Sequence, residues 1–231
     1  ELSKKYRLRF ALLGRTELAE EPASLADCET EAQLKKAIFE MEATSGANTP
    51  LEMAKKAEGI LAAREIRRNI SILEANGAMV DYFPVDIGNQ EKVREAVEQI
   101  RRKHGGIKGI IHGAGVLADK LIHEKTDGQF KRVFETKVHG FHHLLEATKE
   151  EGLTHICCFT SVAARFGNPG QVDYAMANEI LNKVSRAEFA ARGGKCLVKA
   201  INWGPWDGGM VTPFLKLQFE KEGISLITPL S

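Results

Sequence analysis

The chain has 231 residues, with 32 lysines and arginines against 31 aspartates and glutamates, for a net charge of +1. That length allows one α/β domain with a substantial core. The charge balance leaves no basic field for nucleic acid, and no apolar run reaches the ~18 residues that a membrane-spanning helix needs.

Glu1 to Tyr6 lacks the apolar stretch of a signal peptide and reads as the last turns of a helix. Leu8 to Leu13 then reads as a strand closing on Gly14-Arg15-Thr16. A dinucleotide-binding fold also requires an earlier strand, a glycine-rich turn and a helix whose N-terminus holds the pyrophosphate. No such turn precedes residue 14, so the chain is expected to begin inside its domain, after that first strand. Cysteines 28, 157, 158 and 196 have neither zinc-ligand nor Cys-x-x-Cys spacing, and reduced thiols in a cytoplasmic protein are expected.

Residues 17–77 predict a helical insertion. Thr30 to Ala43 carries Leu34, Ala37, Ile38 and Met41 at helical spacing. Thr49-Pro50-Leu51-Glu52 is a capping box with proline at the first helical position. Met53, Ala57, Ile60, Ile66, Ile70 and Leu73 continue one face, and Gly77 ends the run. The basic residues Lys55, Lys56, Arg64, Arg67 and Arg68 are read as a solvated face.

Ala78 to Val85 predicts a strand that delivers Asp86 to its carboxyl end, and an amphipathic helix follows from Asn89 through Ile100. Gly109-Ile110-Ile111 is the next strand, closing on His112-Gly113-Ala114-Gly115-Val116. Small residues there let backbone approach a ligand without Cβ clashes. His112 is read as a packing residue, and His139, His142 and His143 lack partners with metal-ligand geometry, so no metal is expected.

Leu153 to Phe159 is a buried strand leading to Thr160-Ser161, at the sheet edge where open parallel sheets bind ligands. Gly167, Pro169 and Gly170 force an irregular loop, and a helix begins near Tyr174. Asn178 lies four residues on, one turn along the same face. A serine, a tyrosine and a third polar group converging at a strand edge can polarise a carbonyl and give it a proton. A last strand, Lys195 to Ile201, leads into Asn202-Trp203-Gly204-Pro205-Trp206 and a glycine-flanked helix.

The segment from Thr160 to Asn178 resembles the active site of the ketoreductase domains of modular polyketide synthases and polyunsaturated fatty acid synthases, within the short-chain dehydrogenase/reductase superfamily. Most of that superfamily has lysine four residues after the tyrosine. The synthase domains have asparagine there and the lysine upstream, as Asn178 and Lys137 stand here. The long insertion and the Asn-Trp-Gly-Pro-Trp run fit the same family.

The resemblance implies a Rossmann-type doubly wound parallel sheet in a single NADP-binding domain over residues 1–231. It implies Tyr174 as proton donor, Ser161 as hydrogen-bond donor to the ketone oxygen, the charges of Lys137 and of the nicotinamide together lowering the tyrosine pKa, and Asn178 ordering water and the lysine. NADPH would be held by Gly14, Arg15, Thr16, Asp86, Ile87, Gly113, Ala114, Gly115, Lys137, Tyr174 and Pro205, with Arg15 on the 2′-phosphate, Asp86 on the adenine amino group and Ile87 against the ring. Substrate would be met by Leu117, Asp119, Phe166, Gln171, Trp206 and Met210, with residues 207–223 expected as a lid over it. The expected reaction is reduction of a 3-ketoacyl thioester tethered to an acyl carrier protein, beside other domains of a multidomain synthase. Leu117-Ala118-Asp119 keeps the leucine and second aspartate of the Leu-Asp-Asp run of domains making the 3R alcohol, with alanine for the first aspartate. The tryptophan eight residues before the tyrosine, typical of the opposite stereochemistry, is Phe166 here. Two other readings stay open: a free-standing reductase of small ketones, and a non-catalytic Rossmann scaffold or NADP sensor.

Overall fold

Arg9–Gly14 (β1) and Met79–Pro84 (β2) pair in parallel, with Arg9 opposite Met79 and Gly14 opposite Pro84. Parallel strands need a long crossover, and the insertion supplies it as two helices, Glu31–Glu42 (α2) and Pro50–Ala75 (α3). The computed structural model describes residues 2–42, 49–209, 211, 213–221 and 223–228. They fall into two units, residues 1–86 and 87–231.

In the first unit, Leu2–Lys5 (α1) precedes β1. The capping box at the start of α3 forms as its sequence dictates. Glu52 N donates to Thr49 Oγ1 at 3.3 Å, and Thr49 N donates to Glu52 Oε2 at 2.7 Å. A cap of this kind contributes about 1 kcal/mol. Leu25, Leu34, Ile38 and Ala57 form the small core between the insertion's elements. The expectation of a solvated basic face fails at Arg64. Its guanidinium donates to Glu21, to Leu25 O at 2.7 Å and to Cys28 O, and Arg67 reaches Ala19 O. A planar fork satisfies converging carbonyls and a carboxylate together, so Arg64 closes the irregular 17–29 segment onto α3.

The second unit holds Gly109–His112 (β3), His155–Ser161 (β4) and Leu197–Trp203 (β5), paired in that order and all parallel. Gln90–His104 (α4) precedes them and is capped by Asn89, whose side chain accepts from Lys92 N. Asp127–Phe134 (α5) and Gly140–Ala147 (α6) cross from β3 to β4, joined by one π-helical turn, Glu135–His139. Ala163–Phe166 (α7) and Val172–Ala191 (α8) cross from β4 to β5, and Pro213–Lys221 (α9) follows.

The period of two along the strands sorts the sheet's faces. Ile110, Ile156, Cys158 and Val198 join Phe141, Leu145 and Leu181 in the core, while Ile111, Phe159, Leu197 and Ile201 on the other face are exposed. The expected α/β class with parallel strands is observed, and its ladders form a two-stranded and a three-stranded sheet. Among the described residues no strand precedes β1, and no helix is long and apolar enough to cross a membrane.

Candidate active site

Parallel pairing brings the carboxyl ends of β3, β4 and β5 to one edge of their sheet, and Ser161 is the last residue of β4, opposite Trp203. Its Oγ accepts from Ala163 N at 3.2 Å, which leaves the hydroxyl proton to be donated elsewhere. Gly167 and Gly170 have φ of +70° and +82°, angles that L side chains rarely adopt, and they turn the chain back into α8 two residues before Tyr174.

Tyr174 is half-buried. Burial pushes its phenol pKa above the usual value, while the side chains of Asn178 and Ser161 pull the other way. Loss of water outweighs both hydrogen bonds, and the Asp119 charge adds to the rise, so the phenol is held protonated, the form a proton donor needs.

Lys137 sits in the π-helical turn, only 3% exposed. Its Nζ donates to Phe159 O at 3.0 Å and lies 5.5 Å from the centre of the Tyr174 ring. Burial lowers its pKa to about 8. Asn178 is fully buried, and its Nδ2 donates to Tyr174 O at 2.7 Å. Its Oδ1 is buried with no hydrogen-bond partner among the described residues.

Sequence reasoning missed what holds Lys137 in place. His112 Nε2 lies 2.9 Å from Lys137 O, and its ring stacks on Phe141 at 5.4 Å. A carbonyl only accepts, so Nε2 carries the proton. Burial, ahead of the nearby lysine charge, lowers the histidine pKa to about 4, so the ring stays neutral. The packing role expected of His112 is therefore joined by that of a backbone anchor for Lys137. Gly140 begins α6 directly after the π turn, and a Cβ there would come within 2.8 Å of Ile87 Cγ2. Neither a strand-end histidine nor one glycine signals a π turn in a sequence.

The other expected residues are placed as follows. Gly113, Ala114 and Gly115 follow β3, and a Cβ on Gly113 would meet only Phe159 at 3.8 Å, so packing within the protein does not demand glycine there. Ile87 is 8% exposed, lies against Gly140, and its carbonyl takes a hydrogen bond from His143 Nδ1. Gln171 Nε2 donates to Asp119 Oδ2 at 2.7 Å, and Leu117 O accepts from Arg132. Phe166 is 87% exposed. Pro205 O accepts from Ile227 N, Trp206 pairs with Ile227, and Trp206 stacks edge-on against Trp203. Gly14, Arg15, Thr16 and Asp86 lie at the carboxyl ends of β1 and β2 in the first unit, where Arg15 and Asp86 are exposed. Met210 lies outside the described residues. Among the described residues no group of His, Cys, Asp and Glu has the arrangement to hold a metal ion.

An open cleft of about 480 Å³ runs along α8 and β5 past Asn182, Ser185 and Lys199, but Tyr174, Ser161 and Lys137 do not line it. These three residues gather instead near the carboxyl end of β4.

A buried lysine beneath a protonated tyrosine, at the edge of a parallel sheet, defines a reductase-type α/β fold, and the comparisons agree with this class. The ketoreductase from the macrolactin assembly line superposes with a TM-score of 0.69 at 26% identity, over 98% of this chain and 36% of that one. The KR domain family model matches residues 27–208. A polyunsaturated fatty acid synthase chain of Thraustochytrium sp. is 38% identical over 227 residues, 95% of this chain and 8% of that protein. Polyketide synthase PksL of Bacillus subtilis is 35% identical over 150 residues, 62% of this chain and 3% of that protein. The chain thus spans a small fraction of the length of its curated relatives. It belongs to the KR family, the ketoreductase domains of polyketide and polyunsaturated fatty acid synthases in the short-chain dehydrogenase/reductase superfamily.

Proposed function

We propose that this domain reduces a 3-ketoacyl thioester, carried on an acyl carrier protein within a multidomain synthase, to the 3-hydroxyacyl thioester at the expense of NADPH. The observation that carries the reading is the buried Lys137, with one hydrogen-bond acceptor among the described residues, set against Tyr174 beside Ser161 and Asn178. The residues fit a nicotinamide cofactor. Two N–H groups of Lys137 suit ribose hydroxyls, and packing leaves room at Gly113 for the close approach of a ligand.

The bound nicotinamide supplies the hydride. Ser161 donates a hydrogen bond to the ketone oxygen as negative charge builds there. Tyr174, kept protonated by burial, gives that oxygen its proton. Lys137 stabilises the phenolate left behind, and a pKa near 8 lets it pass a proton back. Asn178 holds the tyrosine's helix turn through Tyr174 O and offers Oδ1 to a proton-carrying water. Arg15 would hold the 2′-phosphate and Asp86 the adenine amino group. Leu117, Asp119, Phe166, Gln171, Trp206 and Met210 guide the acyl chain.

The test is turnover with NADPH and a 3-ketoacyl-N-acetylcysteamine thioester, with chiral chromatography of the product. The Leu117-Ala118-Asp119 run and the absence of tryptophan at 166 favour the 3R alcohol. Ala118 is buried against Val133 and Ala177, a place without room for a carboxylate to be hydrated. A predominantly 3S product overturns the stereochemical assignment, and no turnover overturns the activity. Arg15→Ala is expected to weaken NADPH binding by roughly 1.5–3 kcal/mol, the worth of a charge-assisted hydrogen bond, and to leave NADH nearly untouched. Equal losses for both cofactors would remove Arg15 from the phosphate site.

A further inference from the structure

The residue immediately before the proton donor belongs to a buried ion pair that the reaction scheme does not use. Asp173 is 0% exposed, and the Lys125 side chain is 4% exposed. Lys125 Nζ donates to Asp173 Oδ2 at 2.9 Å and to Ala118 O at 2.6 Å, while Asp173 Oδ1 accepts from Tyr174 N at 2.9 Å. The pair therefore joins two backbone points, Ala118 O on the loop after β3 and Tyr174 N at the start of α8. Around it the same two segments are tied again. Lys120 N donates to Gly170 O at 3.0 Å, and Gln171 Nε2 donates to Asp119 Oδ2.

Burying two charges carries a desolvation cost that apolar side chains of similar size avoid, so stability alone does not call for this pair. It supplies direction instead. Each partner engages a backbone group whose position determines where a reacting residue points. We propose that the Lys125–Asp173 pair is a positioning device that locks loop 117–125 to the first turn of α8, and so sets Tyr174 and the Asp119–Gln171 pair relative to each other for reaction. The proposal rests on the ketoreductase reading above. Lys125 and Asp173 are positioning residues, since both act through Tyr174 and the loop.

Removing one partner leaves a buried charge alone and invites unfolding. The informative variant is thus the double substitution Lys125→Met with Asp173→Asn, which removes both charges and keeps an oxygen to accept from Tyr174 N. In the full-length protein this variant is expected to fold and to bind NADPH with unchanged affinity. Its kcat on a 3-ketoacyl-N-acetylcysteamine thioester should fall roughly 10- to 100-fold, the scale of a small misplacement of reacting groups, and the enantiomeric purity of its product should drop. Amide exchange at residues 118–120 and 172–178 should speed up together, because the two segments open as one unit. Wild-type kcat and chirality in a folded double variant would overturn the positioning role, and exchange unchanged at both segments would overturn the clamp itself. If the unaltered protein turns over no 3-ketoacyl thioester, the ketoreductase reading fails along with the catalytic half of this proposal, while the exchange measurement still decides whether the pair locks the two segments.

Discussion

Arg64 in the helical insertion is partly covered, with 26% of its side chain exposed, and Lys137 beneath Tyr174 is buried, and their surroundings differ in kind. Arg64 has a carboxylate and two carbonyls to receive its N–H groups, and hydrogen bonding to Glu21 raises its pKa. Lys137 has one carbonyl among the described residues, a tyrosine ring and no carboxylate, and burial drives its pKa down to about 8. The first arrangement minimises the free energy of the fold. The second leaves donors unused and a charge poorly compensated, which is stable only because His112, Phe141 and Gly140 fix the backbone around it. Perturbed groups with unused hydrogen-bonding capacity collect where chemistry is done, and the contrast separates a brace from a working site within one chain.

The largest expected effect falls on the working site. Tyr174→Phe removes the proton donor and should lower kcat about 10²- to 10⁴-fold, roughly 3–5 kcal/mol of barrier, with NADPH affinity near normal. A variant keeping more than about a tenth of the rate would place the proton donor elsewhere.

A second test concerns the sign of a stability profile. The folded pKa of Lys137, about 8, lies below its ordinary 10.5, so between these values the unfolded chain binds more protons than the folded one. Stability from this group therefore rises as pH climbs from about 8 toward 10.5, by a few kcal/mol, and is flat below that window. Lys137→Met should abolish this component, so denaturant midpoints of the two proteins should differ in slope across that window and run parallel below pH 8. Parallel curves throughout would mean that Lys137 is better solvated than its burial indicates.

The smallest effect belongs to the brace. Arg64→Met leaves Glu21 and the carbonyls of Leu25 and Cys28 without their donor, and should cost about 1–3 kcal/mol of stability. Turnover per folded molecule should hold, and exchange should quicken in residues 17–29 before it does near Tyr174. A matching loss of kcat would show the insertion to be coupled to the active site and would dissolve the contrast.

The sequence by itself determined the order of strands and helices, because that order is written in local chemistry. The capping box at Thr49, the apolar run ending at Ser161 and the glycine-proline turn before Tyr174 are all short-range patterns, and each led to an element found in its place. Tertiary structure decided which polar groups are buried and with whom. Arg64 reads as a surface residue until Glu21, 43 positions away, closes on it. Lys125 and Asp173 are 48 positions apart, and no spacing marks them as partners. The same holds for the tyrosine's pKa: only the packing around α8 shows that burial outweighs the hydrogen bonds from Asn178 and Ser161. Desolvation and long-range pairing depend on how completely water is excluded at a point, and that is fixed only when the whole chain has packed.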